Sequence, residues 1–361
     1  MTALELNDIN VRYPGGGGGL FDISLTAQTG EFICLVGPSG SGKTTLLRTI
    51  AGFLRPVSGG MRINGSEVVS DSAFLGPDKR GLGMVFQDHA VWPHMSVGEN
   101  VAYPLKVSGL KGPEVRDRVA QTLTQVGLTG MADRKPDSLS GGQRQRVAIA
   151  RAIIAKPNVV LFDEALSSLD EPLRADLRGQ LKALTEELSL TAVYVTHDRS
   201  EALALADRIA VLKSGRIIQY SDPQQVLNAP QDPFVAQFMS DAGLFPVTLA
   251  GGDGESERDG DGGGAVALEN GSRVTGFTCM HAEVDPILAV GEGDARVCSS
   301  GEGHVDGTVE SVLFDRAGWC VQVRVWDQLL TVLTAGDRPR VGDIIGVKFT
   351  GGTLFSHENA C

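Results

Sequence analysis

Eight consecutive residues, Gly37-Pro38-Ser39-Gly40-Ser41-Gly42-Lys43-Thr44, constrain this chain more than any other feature. They fit the spacing G-x-x-x-x-G-K-[ST], and their setting matters as much as their identity. The preceding Phe32-Ile33-Cys34-Leu35-Val36 is a short, continuous apolar run, suited to a strand covered on both faces. Residues 44–54 have helical spacing, and Pro56 lies just beyond. Strand, glycine loop and helix together make a phosphate cradle. Glycines let backbone N–H groups curl around phosphate oxygens, Lys43 brings a point charge, and the Thr44 hydroxyl can ligate Mg²⁺ at the positive end of a helix. This loop, with Thr45 beside it, is expected to bind a nucleotide.

The rest of the chain supplies a frame for that loop. Val159-Val160-Leu161-Phe162 repeats the buried-strand pattern, residues 172–188 read as a polar-faced helix, and Ala192-Val193-Tyr194-Val195 is a third apolar run. Strand, helix and strand in that order imply a right-handed crossover within a parallel sheet. Residues 209–212 and 217–220 flank Lys213-Ser214-Gly215 as a hairpin. Residues 93–156 carry helical periodicity and little strand character, so they are expected to form a helical subdomain inserted into the sheet domain. After residue 240 the texture changes. Residues 251–264 are an acidic, glycine-rich linker with nothing to bury, and residues 307–356 alternate β-branched and polar residues between turns. The expected fold class is therefore α/β: a phosphate-loop sheet domain over 1–240, followed by a small all-β, barrel-like domain over 241–361.

Charge follows the same division. Of a formal net charge of −12, residues 241–361 hold 8 basic against 19 acidic side chains, leaving 24 against 25 for residues 1–240. No basic surface concentrates counter-charge for a phosphate backbone, so no nucleic-acid partner is expected. Five cysteines, Cys34, Cys279, Cys298, Cys320 and Cys361, form no C-x-x-C pair and read as free thiols in a reducing compartment. Their spacing with His281 and His304 matches no metal-ligand pattern. The opening Met1-Thr2-Ala3-Leu4-Glu5 lacks the basic start of a secretory leader. No stretch approaches the ~18 apolar residues of a membrane span. The expected location is cytoplasmic, with any membrane reached through partners.

Asp163 and Glu164 end the second buried strand, which places both carboxylates at the carboxyl edge of the sheet, beside the phosphate loop. Asp163 suits Mg²⁺ coordination through water, and Glu164 suits the general base that polarises water against a γ-phosphate. The discriminating string is Leu139-Ser140-Gly141-Gly142-Gln143-Arg144-Gln145-Arg146. As a helix start it has a capping box, with Ser140 as cap and Gln143 closing it. Paired glycines weaken such a start unless something approaches the backbone closely, and the helix dipole favours an anion there.

Here the chain resembles the ATP-binding-cassette (ABC) family, over residues 4–240. The resemblance implies ATP and Mg²⁺ as cofactors and assigns further stations. Tyr13 sits where the family has an aromatic that stacks on adenine. Gln87 matches the glutamine that touches Mg²⁺ and joins the sheet and helical parts. Asp170, closing Ser167-Ser168-Leu169-Asp170, matches the loop that crosses to a second copy, and His197 matches the histidine that contacts the γ-phosphate. Thr44, Gln87 and Asp163 are then the metal ligands, Glu164 and His197 the catalytic pair, and Ser140, Gly141, Gly142 and Gln143 complete the nucleotide site of the second copy. Two departures stand out: Ala165 replaces a frequent Pro, and Gly15 to Gly19 lengthen the loop after Tyr13.

The importer branch is implied by Trp92-Pro93-His94-Met95-Ser96-Val97, which resembles the segment placed against a membrane subunit, and by the β domain. An ATPase energising import is thus expected as a peripheral protein at the cytoplasmic face of the cell membrane. Its partners would be a second copy of itself, integral membrane permease subunits and, through them, an extracytoplasmic substrate-binding protein. Segments 75–80, 196–202 and 243–246 look most like ATP subunits of iron(III) importers, with polyamine, phosphonate and sulfate importers as alternatives. A soluble ABC ATPase and a phosphate-loop kinase are the rivals from other classes.

Overall fold

The structure, a computed structural model, describes residues 1–13, 15, 18–167, 170–249, 265–279, 285–315 and 318–356. The expected linker at 251–264 lies outside the described residues, as do Ser168, Leu169 and His281. Contacts divide the chain into two units, Met1–Pro223 and Gln224–Cys361. This division falls earlier than the change of texture after residue 240. The helix Pro233–Ser240 goes with the second unit because Ala236 packs there with Ala242, Ala289 and Phe355.

The first unit begins with β1 (Thr2–Arg12) and β2 (Gly19–Gln28), an antiparallel pair, and then β3 (Phe32–Val36) and α1 (Lys43–Ala51). The helix ends before residue 54 because Gly52 takes a left-handed φ of 91° and turns its N–H back to the carbonyls of Arg48 and Thr49. Strands β4 (Ser58–Ile63) and β5 (Ser66–Val69) complete a four-stranded sheet ordered β2-β1-β4-β5. Next come β6 (Leu82–Val85), α2 (Val97–Val107), α3 (Pro113–Gln125), α4 (Gly141–Ile153) and β7 (Val159–Asp163). The unit closes with α5 (Glu171–Glu187), β8 (Thr191–Val195), α6 (Arg199–Leu205), β9 (Arg208–Lys213) and β10 (Arg216–Ser221).

The six-stranded sheet runs β10-β9-β3-β8-β7-β6, parallel except for the β9–β10 hairpin. All five residues of β3 are buried because the alternation of the strand feeds two covered faces. Ile33 and Leu35 join Leu161, Val193 and Val195 in a cluster with Leu46 and Ile50 of α1 and Leu4, Leu6 and Ile9 of β1. On the opposite face Phe32, Phe162 and Tyr194 pack ring against ring, with centroids 5.9–6.4 Å apart. Fully burying one such aromatic stabilises by roughly 1.5–3 kcal/mol, which fixes strand register on both sides at once. The expected helical insertion is α2, α3 and α4, which touch one another. Ser96 and Glu99 start α2 with a capping box, and Ser140 and Gln143 do the same for α4.

In the second unit a six-stranded sheet is built around Gly243–Leu249, Ile287–Val290 and Thr353–Phe355, and a five-stranded antiparallel sheet around Val305–Asp315, Gly318–Val325 and Ile344–Phe349. Val321, Val323 and Val325 point inward with Leu330, Val332 and Val347, the alternation visible in the sequence. The outer strands of the five-stranded sheet, Ala295–Cys298 and Gln328–Thr334, touch, so the sheet curls into a barrel-like form. Cys34, Cys298 and Cys320 are free thiols. Among the described residues, no helix is long and apolar enough to cross a membrane.

Candidate nucleotide site

The loop between β3 and α1 is held by its own lysine. Lys43 Nζ donates to the carbonyls of Gly37 at 2.6 Å and Pro38 at 2.9 Å, which curls the loop. A side chain at Gly37 is excluded twice, by φ of +150° and by the Leu212 carbonyl 2.2 Å from where a Cβ would sit. Lys43 is 7% exposed, and burial holds its ammonium below the usual range, opposed by the charge of Glu164. The loop opens onto a cleft of about 530 Å³ lined by Ser39, Gly40, Ser41, Gly42, Lys43, Thr44 and Thr45, and across from them by Tyr13, Glu164 and His197. The Tyr13 hydroxyl is 3.0 Å from Thr45 Oγ1, so the aromatic ring is tethered to the start of α1.

At the carboxyl edge of β7, Glu164 sits at φ +47°, a left-handed conformation that strains a residue bearing a Cβ. Its backbone N–H donates to the Val195 carbonyl at 3.0 Å, which pins the turn to β8. Gln87 Nε2 donates to Glu164 Oε2 at 3.1 Å and to Ser167 Oγ at 3.4 Å, while Ser167 Oγ donates to the Glu164 carbonyl at 2.8 Å. His197 Nδ1 lies 3.7 Å from the same Oε2. Two residues from two other loops therefore converge on one carboxylate, while Ser167 holds the backbone beneath it. Burial pushes the Asp163 carboxyl up, with Arg48 opposing and Glu164 adding to the shift. Thr44, Gln87 and Asp163 offer hydroxyl, amide and carboxylate oxygens, a hard donor set that fits Mg²⁺, and a dication would offset the burial of the Asp163 carboxyl.

Ser140, Gly141, Gly142 and Gln143 are not among the residues lining this cleft. They form the first turn of α4, where the Gln143 N–H donates to Ser140 Oγ at 3.3 Å and the Ser140 N–H to Gln143 Oε1 at 3.0 Å. The glycine at 142 has a packing reason as well: a Cβ there would lie 3.1 Å from both terminal carbons of Leu173 in α5. Asp170 is the residue before α5 and also stands outside the cleft lining.

A family model for ABC transporters matches residues 20–167. The chain is 41% identical to the spermidine/putrescine import ATP-binding protein PotA of Pseudomonas aeruginosa, over 91% of this chain and 90% of that one. The chain belongs to the ABC transporter family. Within it the ATPase stands with import ATP-binding proteins, and its activity is ATP hydrolysis coupled to transport. It is also 45% identical to the Fe(3+) ions import ATP-binding protein FbpC of Escherichia coli K12, over 69% of this chain and 70% of that one. An sn-glycerol-3-phosphate import ATP-binding protein, UgpC of Chromohalobacter salexigens, is 44% identical over 76% and 70%. Among solved structures, a dimeric ATP-binding cassette bound to ADP and Pi in a post-hydrolysis state superposes with a TM-score of 0.53 at 33% identity, covering 61% of this chain and 98% of that one. The protein cbiO1 from Clostridium perfringens, part of the transporter complex cbiONQ, gives 0.58 at 29% identity, covering 62% and 90%.

Several residues around the site of this ABC ATPase were not singled out from sequence. Gly18 and Gly19, from the glycine run noted after Tyr13, join the cleft lining, a role the sequence did not assign them. Glu201, 2% exposed, accepts from the Tyr194 hydroxyl at 2.8 Å and Thr196 Oγ1 at 2.7 Å, and so fixes the end of β8 that leads into His197. Its only sequence signal is a helical spacing after the Asp198 cap, which reads as an ordinary first-turn acid.

Proposed function

We propose that this ABC ATPase binds Mg-ATP at the cleft and energises import of iron(III) through membrane permease subunits. The convergence of Gln87, His197 and the strained Glu164 at the mouth of the phosphate loop carries the reading. In it, backbone N–H groups of the loop over residues 39–45 and the Lys43 ammonium hold the phosphates, and the Tyr13 ring faces the adenine. Thr44, Gln87 and Asp163 would hold Mg²⁺, which when bound neutralises charge on the outer phosphates. Glu164 takes the proton of the attacking water, and His197 contacts the γ-phosphate beside it. Ser140, Gly141, Gly142 and Gln143, with Asp170, complete the site of a second copy, consistent with their standing apart from this chain's own cleft.

Met95, Glu99, Tyr103, Lys106 and Val107 edge a groove of about 330 Å³ on α2, next to the Trp92 segment, which suits a permease helix at the cytoplasmic face of the membrane. Identity of 45% to an iron importer subunit over the cassette supports iron as cargo. A polyamine is the second reading, favoured by the longer match to PotA, which extends through the second unit.

Uptake of radiolabelled iron(III) and of spermidine by cells lacking the gene, complemented with wild type or Glu164→Gln, tests both. Wild type should restore iron uptake. Glu164→Gln should bind ATP with unchanged affinity yet restore nothing, its hydrolysis lowered on the order of 10²–10⁴-fold. Restored spermidine uptake alone moves the cargo to the polyamine, and undiminished hydrolysis removes Glu164 from the role of base.

A further inference from the structure

The segment that follows Gln87 is held in a costly conformation. His89 and Ala90 have φ of +63° and +47° in succession, a region where side-chain-bearing residues are strained and where two neighbours persist only if the surroundings hold them. The His89 N–H donates to the Phe86 carbonyl at 3.0 Å, and one buried side chain bonds the carbonyls of both residues. Arg151, 9% exposed in the last turn of α4, donates through Nη1 to the Ala90 carbonyl at 2.7 Å and through Nη2 to the His89 carbonyl at 3.0 Å. The same guanidinium carbon stands 4.7 Å from the Trp92 ring centroid. Trp92 is gripped in turn by Asn100 of α2, whose Oδ1 accepts its N–H at 2.9 Å and whose Nδ2 donates to its carbonyl at 3.1 Å. The stretch is thus anchored at one end by Gln87 against Glu164, at the other by α2, and in the middle by Arg151.

A structural arginine at a helix end would bond its own last carbonyls or reach for water. Here both terminal nitrogens go to the strained pair, 61 and 62 residues away in sequence. We propose that Arg151 is a positioning residue for hydrolysis: by forcing the left-handed His89–Ala90 backbone, it keeps Gln87 on Glu164 and ties that contact to α4, the helix that Ser140 opens. Movement of α4 or of the Trp92 segment then reaches the carboxylate through one guanidinium. The proposal rests on the reading of Gln87 and Glu164 as hydrolytic-site residues.

Glycine gives the test, because it adopts a positive φ without penalty. In full-length protein, Arg151→Ala should lower kcat for Mg-ATP on the order of tenfold while KM stays within about twofold, since a misplaced group costs rate and the phosphate loop is untouched. Adding Ala90→Gly to Arg151→Ala should return at least half of the lost activity. Arg151→Lys, which cannot fork across two carbonyls, keeps the charge and stem and serves where the alanine variant does not fold; it too should lose kcat and regain it with Ala90→Gly. Unchanged kcat in Arg151→Lys and Arg151→Ala, or a glycine variant that restores thermal stability without restoring kcat, overturns the proposal. Gln87→Ala, measured alongside, separates the two layers. Undiminished turnover there removes the site reading and the proposal with it, whereas a loss there without a loss at Arg151 removes the proposal alone.

Discussion

Glu164 combines a left-handed backbone, a hydrogen bond from Gln87 and a histidine within 3.7 Å, so its carboxylate direction is set by its own turn and by neighbours from two other loops. The second unit holds a histidine whose protonation bears on stability. In the second unit the Phe349 N–H donates to His304 Nδ1 at 3.0 Å, a bond that needs this nitrogen unprotonated. Burial, reinforced by Lys348, holds the His304 pKa below the ordinary value. The unfolded chain therefore takes up the proton first as pH falls. The stability His304 contributes is whole above about pH 6.5 and is lost as pH drops from there through the lower folded value. Thermal unfolding followed between pH 8 and pH 5 should show the second unit weakening below about pH 6.5. His304→Asn, whose Oδ1 keeps an acceptor near that place without a titrating ring, should flatten the dependence; an equally steep wild-type and variant profile would discard the assignment.

At the level of elements, α4 has two separable tasks. Its capping box between Ser140 and Gln143 stabilises the helix start by about 1 kcal/mol, a local effect that any helix could use. Its glycine at 142 faces Leu173 of α5, where a methyl would meet the leucine's terminal carbons at 3.1 Å, a contact that a flexible side chain can relieve by a few tenths of an ångström. Alanine also favours a helix over glycine by roughly 1 kcal/mol, which offsets that crowding. Gly142→Ala should accordingly leave thermal stability within about 1 kcal/mol of wild type. If a second copy's nucleotide approaches this backbone, hydrolysis should nonetheless fall, on the order of tenfold or more. Steady-state ATPase measured beside a melting curve distinguishes the outcomes: full activity would assign the glycine to packing against Leu173 alone.

Over the whole molecule, the first unit carries the cleft, Glu164, His197 and α4, together with an apolar core drawn from both of its sheets and α1. The second unit has a separate core of valines and phenylalanines and none of the cleft residues. A chain ending at Asp222 should therefore fold and bind Mg-ATP with the affinity of the full-length protein, as a domain with its own core does. Nucleotide titration and thermal unfolding of both forms check this. Aggregation, or loss of binding, in the short chain would make the second unit part of the catalytic fold.

Local chemistry determined much of this protein. The phosphate loop, the buried strands β3, β7 and β8, the capping boxes of α2 and α4 and the alternating valines of the second unit are each encoded within a few residues, through spacing, caps and side-chain period. Where the local signal was broken, the sequence was silent. Irregular pairings interrupt the alternation of β1, so the antiparallel sheet it builds with β2, β4 and β5 was not legible. Gly52 ended α1 earlier than its periodicity suggested. The site depended on tertiary structure most of all. Glutamine, glutamate and histidine types could be picked out from their motifs, but that Gln87 and His197 meet on one carboxylate depends on β7 lying beside β8 and β6. The grip of Arg151 on His89 and Ala90 spans some sixty residues and follows no periodicity, so only packing of α4 against the sheet domain brings those atoms together.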